Sequence, residues 1–441
     1  MLIERVMTTV LRQLNRKYTR MEQIGHVLGM PAGNPERQLM LYLHIPFCVV
    51  LCPFCSFHRV RYREDRAGRY FSTLRKEIRM AHDAGFRFRA VYVGGGTPTV
   101  HIPELVETIE LARRLNPISQ ISIETNPDDL VPEKIRVLRD VGVNRLSVGV
   151  QTLEDKLLDE MERKNKYGSS DQIRERLAAT QGLFDTLNVD LIFNLPHQSL
   201  GSLVRDIDIL TGEIGIDQIS FYPLMGANTT ALRMKKGMGH VTYHRERKFY
   251  ETIHARLPAE YTASSAWCFS KKPGAIDEYI IEYDDYIGLG SGAMSYLDNR
   301  LYAASFSINR YIRLIEAGHC GFTRMSEFSE KDSMRYDFLM KFFGIKVNKA
   351  SLEARWGGRF EKSLWKEFAA FRLAGAIRDD GEHWVLTKRG MYYWVLMMRE
   401  FFIAISNFRD LMRLGIRSEL DPEDLKDLEE FPQSTTTGEL G

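Results

Sequence analysis

Short β-rich runs alternate with longer helical patterns from about residue 40 to about residue 230, and this alternation restricts the possible folds most strongly. Parallel strands need long crossover connections, usually helices, so the pattern predicts an α/β fold of repeated βα units. The strands are predicted at 40–44, 90–93, 121–124, 145–150, 189–193 and 218–222, and helices between them at 70–84, 103–115 and 132–141. Six such units form either an open doubly wound sheet or a partial barrel, and periodicity alone does not separate these.

Residues with distinctive chemistry follow the first four predicted strands. A cysteine-rich loop follows the first strand, a Gly-Gly-Gly-Thr-Pro run at 94–98 follows the second, Glu124 ends the third and Gln151 follows the fourth. In barrels of parallel strands, functional residues gather at the carboxyl ends of the strands. One shared rim is the simplest geometry, and it favours a partial (β/α)6 barrel of the TIM type.

Composition and pattern divide the chain into five predicted parts. Residues 1–38 are a helical lead-in, residues 39–230 form the barrel core, and residues 231–327, with a glycine-rich turn at 286–295, extend the barrel and close the site. Residues 328–418 are helical and aromatic, with a short strand and a helix start at 384–390, which predicts a smaller, mainly helical, winged-helix-like domain. Residues 419–441 are acidic and polar and are predicted to be a disordered tail.

Three of the five cysteines, Cys48, Cys52 and Cys55, lie close together in the sequence. An odd number of cysteines with this spacing favours a metal site in a reducing compartment over a disulfide framework. Soft thiolates select iron-sulfur clusters or zinc, but a structural zinc site needs a fourth ligand, which only His44 or His58 could supply. Three thiolates leave one iron of a [4Fe-4S] cluster open, and an open iron can bind the amino and carboxylate groups of S-adenosylmethionine (SAM).

The run Tyr-Leu-His-Ile-Pro-Phe-Cys at 42–48, the cysteine loop and the Gly-Gly-Gly-Thr-Pro run together resemble the oxygen-independent coproporphyrinogen III oxidase-like family of radical SAM proteins. That family includes heme chaperones and radical SAM methyltransferases. The resemblance runs from about residue 42 to residue 295 and continues more loosely into the C-terminal part. It implies a radical SAM barrel in which Cys48, Cys52 and Cys55 hold the [4Fe-4S] cluster.

The resemblance also implies a site for SAM. Tyr42 would lie beside the SAM on the cluster and Glu124 would be its carboxylate partner, so these two are the predicted catalytic residues. The remaining residues implied for this site are Phe54, Gly95, Gly96 and Thr97. Glycine has an independent reason to be there, because it lets the backbone approach a ligand closely.

A second SAM is implied by Gln151, Arg163 and Asp190, which match positions that contact a second SAM in oxidase-like members. The guanidinium of Arg163 could pair with the carboxylate of the methionine part. Several positions depart from the family pattern, Phe57 and Met294 among them. Phe57 stands where oxidases usually carry a fourth nearby cysteine, and Met294 stands where many relatives have a histidine.

The family resemblance implies an enzyme that uses a 5′-deoxyadenosyl radical to abstract hydrogen from a porphyrin-type or other planar substrate. Two alternatives remain open, namely a two-SAM radical methyltransferase and a heme-binding chaperone that retains the cluster. The expected partners are a small-molecule substrate, such as a tetrapyrrole, and an electron donor such as flavodoxin or ferredoxin.

Charge, the N-terminal pattern and hydropathy argue against a nucleic-acid-binding, a secreted and a membrane-spanning protein. Sixty basic residues against 58 acidic ones give a net charge of +2, so no strong basic field indicates a nucleic-acid partner. The N-terminus has no signal-peptide pattern. The most apolar stretch, 392–408, is interrupted by Arg399 and Glu400, which argues against a membrane span. We therefore expect a cytoplasmic protein.

Overall fold

The computed structural model describes residues 2–272 and 279–416. The strands in this part of the chain are β1 (Glu22–Gln23), β2 (Gln38–Ile45), β3 (Phe47–Cys48), β4 (Val60–Arg61), β5 (Arg87–Gly95), β6 (Gln120–Thr125), β7 (Arg145–Gln151), β8 (Thr186–Phe193), β9 (Gln218–Pro223), β10 (Thr262–Ala263), β11 (Cys268–Ser270), β12 (Tyr286–Leu289), β13 (Met294–Leu297), β14 (Arg300–Ala304), β15 (Phe322–Glu327), β16 (Lys346–Asn348), β17 (Ile377–Asp379) and β18 (His383–Leu386).

The α-helices of the described residues are α1 (Leu2–Tyr18), α2 (Glu64–Asp83), α3 (Ile102–Leu115), α4 (Pro132–Asp140), α5 (Asp155–Glu160), α6 (Lys164–Tyr167), α7 (Ser170–Thr180), α8 (Leu200–Asp208), α9 (Asn228–Gly237), α10 (Glu246–Arg256), α11 (Tyr279–Glu282), α12 (Ile308–Glu316), α13 (Glu330–Phe343), α14 (Lys349–Arg355), α15 (Phe360–Ser363), α16 (Trp365–Leu373) and α17 (Lys388–Leu414). Short 3-10 turns cover Pro98–His101 and Pro127–Asp129, and a π-helical segment covers Ile209–Ile214. None of these helices is long and apolar enough to cross a membrane.

A sheet of thirteen strands, counted within the described ranges, forms the centre of the molecule in the order β1-β15-β14-β13-β12-β2-β5-β6-β7-β8-β9-β11-β10. From β12 through β2 and β5 to β9, all neighbours are parallel. Strands β2 and β5 to β9 are the predicted strands, so the predicted α/β fold with a parallel sheet is confirmed. The glycine-rich turn at 286–295 contains one further parallel strand, β12, which its short length concealed in the sequence.

Successive side chains of β2 point alternately to the helices outside the sheet and to the interior of the barrel. Leu41, Leu43 and Ile45 are fully buried, as expected for one face of a strand packed against helices. Tyr42 and His44 lie on the other face, where the Tyr42 hydroxyl and His44 Nδ1 are 2.9 Å apart. The barrel interior therefore carries polar side chains at this end of the strand.

Helix α2 begins earlier than predicted. The pattern placed its start at residue 70, whereas the structure begins it at Glu64. Glu64 and Asp65 supply negative charge to the first turn, which favours a helix N-terminus there. Because this turn is polar, hydrophobic periodicity did not reveal it.

The C-terminal part is mainly helical and contains a small antiparallel sheet in the order β16-β18-β17, as the winged-helix-like prediction expected. Its core is aromatic, with Phe342 stacked against Trp384 and Trp394 at ring distances of 5.9 and 5.5 Å. The 27-residue helix α17 spans about 40 Å and returns to the barrel. Near its end, Ser406 Oγ lies 2.9 Å from Ser56 Oγ in the cysteine loop.

Arg399 and Glu400, which interrupt the apolar stretch, are buried in an ion-pair network. Arg399 pairs with Glu400 at 2.7 Å and with Glu246 of α10 at 2.5 Å, and Arg12 of α1 pairs with Glu400 at 2.7 Å. These pairs join the helical lead-in and α17 to a helix of the barrel. The predicted tail at 419–441 lies outside the described residues.

Candidate functional site

The cysteine loop is closed at its base by a short parallel pair of strands. Cys48 in β3 is opposite Arg61 in β4, and Tyr62 N–H donates to Cys48 C=O at 2.9 Å. Cys48 and Cys52 are buried and Cys55 is half-buried. The loop therefore holds its three thiols at the carboxyl end of β2.

Arg59 is a buried cation inside this loop. Its Nη2 donates to the carbonyl oxygens of Cys52 and Cys55, both at 2.6 Å. Its Nε and Nη1 are buried and have no hydrogen-bond partner among the described residues. Burial alone would lower the pKa of Arg59, but the negative charges available on Cys55, Cys48 and Cys52 raise it. A buried cation with unused donors beside three thiols matches a site for a negatively charged thiolate-bound group.

The thiols have different environments. Burial raises the pKa of Cys48 to about 12, although Thr97 Oγ1 donates to its sulfur at 3.5 Å. Burial also raises the pKa of Cys55, but the Arg59 charge and a backbone hydrogen bond from Phe57 outweigh it, so the net shift is downward. Thiolates form most readily when a positive charge is close.

The donor set fits an iron-sulfur cluster better than a single metal ion. Within residues 2–272 and 279–416, no three His, Cys, Asp or Glu side chains converge closely enough to hold one ion. A cluster of four irons spaces its thiolates more widely than one zinc ion does. Both ring nitrogens of His44 are also engaged, with Tyr42 and with the carbonyl oxygen of His58 at 2.9 Å each. Burial lowers the pKa of His44 to about 4, so its ring is neutral.

Arg163 and Tyr167 surround the sulfur atom of Cys52. Arg163 Nη1 donates to Cys52 Sγ at 3.6 Å, and the Tyr167 hydroxyl lies 3.9 Å from the same atom. The Arg163 guanidinium stacks on the Tyr167 ring, 4.2 Å from its centre. Both residues come from the α5–α6 region, so the chain after β7 reaches across to the cysteine loop.

The glycine run at the end of β5 packs against the same loop. Gly96 N–H donates to Ile45 C=O and Thr97 N–H to Phe47 C=O, both at 2.8 Å. A Cβ on Gly96 would lie 2.6 Å from the Phe47 carbonyl oxygen and 3.0 Å from Cys48 Sγ. Gly95 has a φ of +120°. This backbone can approach the cysteine loop only without side chains at these positions.

Glu124 lies beside the glycine run. Its carboxylate accepts from the Tyr92 hydroxyl at 2.8 Å and from Gly95 N–H at 3.1 Å. Burial is the main cause of a raised pKa at Tyr42, and the negative charge of Glu124 adds to it. Tyr42, Glu124 and the glycine run are therefore neighbours on the rim.

Gln151, Arg163 and Asp190 are brought together around Gly149. Arg163 Nη2 donates to the Gly149 carbonyl oxygen, and Asp190 is opposite Gly149 in the β7–β8 register. Gln151 has a φ of +74°, and its amide nitrogen lies 3.0 Å from where a Cβ of Gly149 would be. Asp190 accepts from Ser147 at 2.9 Å and Asn188 at 2.8 Å.

The remaining predicted positions lie at the border of the site. Phe54 is partly buried and packs against the hydrophobic core. Phe57 is 42% exposed, and the Arg409 guanidinium of α17 lies 4.9 Å from its ring centre. Met294 begins β13 and is partly buried.

Sequence reasoning missed Arg59, Asn126 and Tyr167. Asn126 links the two halves of the rim, because it donates to Thr97 Oγ1 at 2.9 Å and accepts from Arg163 at 3.4 Å. A signal existed for Arg59, since a basic residue four positions after Cys55 can compensate thiolate charge. Tyr167 had no comparable signal, because its contact with Cys52 joins residues 115 positions apart.

Comparisons with known proteins agree with this geometry. Residues 42–210 match the model of the radical SAM superfamily. The chain is 27% identical to the heme chaperone HemW of Bacillus subtilis, over 73% of this chain and 87% of that relative. It is 33% identical to the oxygen-independent coproporphyrinogen III oxidase of Bradyrhizobium diazoefficiens, over 40% of each chain. The solved coproporphyrinogen III oxidase (HemN) of Escherichia coli shares the fold, with a TM-score of 0.69 and 22% identity over 84% of this chain and 90% of that one.

Proposed function

The chain belongs to the oxygen-independent coproporphyrinogen III oxidase-like family of radical SAM proteins. We propose that it is an enzyme that cleaves SAM reductively at a [4Fe-4S] cluster held by Cys48, Cys52 and Cys55. The observation that carries this proposal is the buried cation Arg59, which donates to the carbonyl oxygens of Cys52 and Cys55 inside the loop that carries the three thiols. These thiols lie at the same rim as Glu124 and the glycine run.

When bound, the [4Fe-4S] cluster supplies an electron that splits the sulfonium of SAM and releases a 5′-deoxyadenosyl radical. The three thiolates would hold the cluster, and Arg59 would compensate their charge. Glu124 offers carboxylate oxygens to the ribose hydroxyls or the ammonium group of SAM. Gly95 and Gly96 let the backbone approach SAM, and Thr97 donates to Cys48 Sγ.

Tyr42 and His44 of β2 add no charge to the proposed SAM site. Burial raises the pKa of Tyr42, so its hydroxyl stays protonated and donates to Nδ1 of the neutral His44, which leaves the hydroxyl oxygen as an acceptor beside SAM. The lowered pKa of His44 keeps the imidazole uncharged. The charges facing the cofactor are thus those of the thiolates, Arg59, Arg163 and Glu124.

A second SAM is part of this proposal. Gln151, Arg163 and Asp190 surround Gly149, and together they offer an amide, a guanidinium and a carboxylate to a zwitterionic amino acid. Arg163 fits a carboxylate and Asp190 fits an ammonium group. Counting SAM molecules bound per cluster-loaded chain by equilibrium dialysis tests this part, with two expected and one contradicting it.

For the substrate, we propose a porphyrin-type or other planar molecule. The coproporphyrinogen oxidase and heme chaperone relatives support a tetrapyrrole. The test is anaerobic incubation of the reconstituted protein with SAM, dithionite and coproporphyrinogen III. Substrate-dependent formation of 5′-deoxyadenosine together with a decarboxylated product supports the proposal, and its absence with a loaded, reducible cluster counts against this substrate.

The second candidate is a heme-binding chaperone that retains the cluster. It is favoured because the relative named as a heme chaperone is matched over 87% of its length. Titration with heme separates the chaperone from the SAM-cleaving enzyme. A Soret band that saturates at one heme per chain, with little SAM turnover, would favour the chaperone, whereas turnover without heme binding would favour the enzyme.

We propose that successive segments of the chain have different roles at the site. Residues 39–230 supply the cysteine loop and the rim, residues 231–327 close the barrel beside β2, and residues 328–418 provide the domain whose last helix returns to the cysteine loop.

A further inference from the structure

Asn126 is a half-buried residue that follows the carboxyl end of β6 and lies between the two halves of the rim. It precedes Pro127, and a proline favours extended backbone at the residue before it. Asn126 has this conformation, with a φ of −114° and a ψ of 161°. A Cβ on Gly149 would lie 3.8 Å from Asn126 Oδ1, so the amide packs beside the end of β7. The local sequence thus restricts the backbone from which this amide extends.

The orientation of the Asn126 amide follows from the chemistry of its two partners. Arg163 Nη2, 3.4 Å away, can only donate a hydrogen bond, so the atom that faces it is the amide oxygen. The amide nitrogen then donates to Thr97 Oγ1 at 2.9 Å. A carboxylate at position 126 could accept from Arg163 but could not donate to Thr97. Asparagine meets both requirements, and aspartate does not.

The Asn126 amide determines where the hydroxyl proton of Thr97 lies. A threonine hydroxyl has one proton, and here its oxygen accepts from Asn126 while its proton is donated to Cys48 Sγ at 3.5 Å. The hydrogen bonds therefore run in one direction, from Arg163 through Asn126 and Thr97 to Cys48. Arg163 also donates directly to Cys52 Sγ at 3.6 Å. Two of the three thiols thus receive hydrogen bonds that begin at one guanidinium.

We propose that Asn126 is a positioning residue that keeps the Thr97 proton on Cys48 Sγ and thereby raises the reduction potential of the cluster. This inference rests on the proposed function, because it requires a cluster held by Cys48. An added electron makes the cluster more negative, and a hydrogen bond to a cluster thiolate stabilises that state. The same hydrogen bonds join the two proposed SAM sites, since Thr97 belongs to the first and Arg163 to the second.

The test is a redox titration of the reconstituted chain, with iron and sulfide quantified and electron paramagnetic resonance as the readout. Thr97→Val removes the donor to Cys48. Asn126→Asp keeps the shape of the side chain, but its carboxylate accepts the Thr97 proton and draws it away from Cys48. At a fixed solution potential, we expect each variant to lower the ratio of reduced to oxidised cluster about two- to tenfold, the equivalent of one hydrogen bond.

A double-mutant cycle separates the positioning of Thr97 from the charge that aspartate adds. In the Thr97→Val background, Asn126→Asp has no hydroxyl proton to move, so its effect should be smaller than in wild type. Asn126→Ala adds no charge but frees the Thr97 hydroxyl to turn, so it should lower the ratio in wild type and leave it unchanged in Thr97→Val. Asn144→Asp is the charge-matched control at the amino end of β6, where Asn144 Oδ1 accepts from Ile121 N–H at 2.9 Å, and it should leave the ratio unchanged.

The outcomes separate this inference from the proposed function. Equal effects of the Asn126 variants in both backgrounds would overturn the positioning role and leave the proposed function standing. Loss of the cluster from both Asn126 variants, with normal loading of Thr97→Val, would also overturn it, because the amide would then serve assembly of the site and not its potential. Failure of the wild type to assemble a cluster would contradict the proposed function itself.

Discussion

The hydroxyl of Tyr167 lies 3.9 Å from Sγ of Cys52, and Arg163, stacked on the Tyr167 ring, donates to the same sulfur. A hydrogen bond to a cluster thiolate stabilises the reduced, more negative state and so raises the reduction potential. We expect Tyr167→Phe to lower the midpoint potential by about 20–60 mV, the equivalent of one hydrogen bond. Redox titration followed by electron paramagnetic resonance measures this shift.

Tyr261→Phe is the matched control for that measurement. The Tyr261 hydroxyl donates to the Ile216 carbonyl oxygen at 2.5 Å, so this hydroxyl is not directed at a cysteine thiol. Its removal should leave the potential unchanged. Equal potentials for the Tyr167 variant and wild type would show that the hydroxyl does not act on the cluster.

Gly96→Ala tests the close approach of the glycine run to the cysteine loop. The new methyl group would lie 2.6 Å from the Phe47 carbonyl oxygen and 3.0 Å from Cys48 Sγ, so the loop must shift. We expect the variant to retain only a small fraction of the wild-type iron and sulfide after reconstitution. Gly25→Ala, with no atom within 4 Å of the added carbon, should load normally. A wild-type content of iron and sulfide in Gly96→Ala would refute the requirement for glycine at this position.

Glu124→Gln tests the carboxylate of the rim. The amide keeps the shape but loses the charge and one acceptor for Tyr92 or Gly95. We expect the Kd for SAM to rise about tenfold, near 1.4 kcal/mol, with unchanged cluster content. Equilibrium binding to cluster-loaded protein measures it, with the exposed Glu110→Gln as control. An unchanged Kd would remove Glu124 from the SAM site.

Glu77 gives the protein a pH-dependent stability. It accepts from Tyr311 at 2.7 Å and from Gly290 N–H at 2.9 Å, and burial raises its pKa from 4.5 to about 7. Between these values the folded state holds a proton that the unfolded state releases, so stability falls as pH rises. We expect the unfolding free energy to drop by on the order of 2–3 kcal/mol between pH 5 and pH 7.5.

Glu77→Gln should be less stable at pH 5 and should lose this pH dependence, because an amide does not titrate there. Urea unfolding at pH 5, 6.2 and 7.5 compares the variant with wild type, and the exposed Glu316→Gln serves as control. Parallel pH profiles for wild type and Glu77→Gln would assign the dependence to other groups.

The barrel could be predicted from the sequence because strand and helix periodicities alternate over a long stretch. The strand ends were less visible, since β5 runs from Arg87 to Gly95 although only 90–93 are continuously apolar. Arg87, which is half-buried, and Arg89, which is exposed, lie at the start of that strand and break the apolar pattern. Strand β12 was missed because it has only four residues and because a tight turn, and not a helix, follows it.

The candidate site could be predicted where its residues are neighbours in the sequence, as in the cysteine loop and the glycine run. Contacts made by tertiary structure could not be predicted in this way. Arg163 was expected at a second SAM, and the structure places it between Cys52 Sγ and the Gly149 carbonyl oxygen. The contact of α17 with the loop likewise joins residues 350 positions apart.

The most direct test of the central claim is anaerobic reconstitution with iron and sulfide, reduction by dithionite in the presence of SAM, and chromatographic detection of 5′-deoxyadenosine. Wild type and Cys52→Ala are compared, with Cys320→Ala, a buried cysteine outside the loop, as control. We predict that wild type and Cys320→Ala assemble a cluster and release 5′-deoxyadenosine, whereas Cys52→Ala does neither. A loaded, reducible cluster in the wild type that leaves SAM intact would contradict the account.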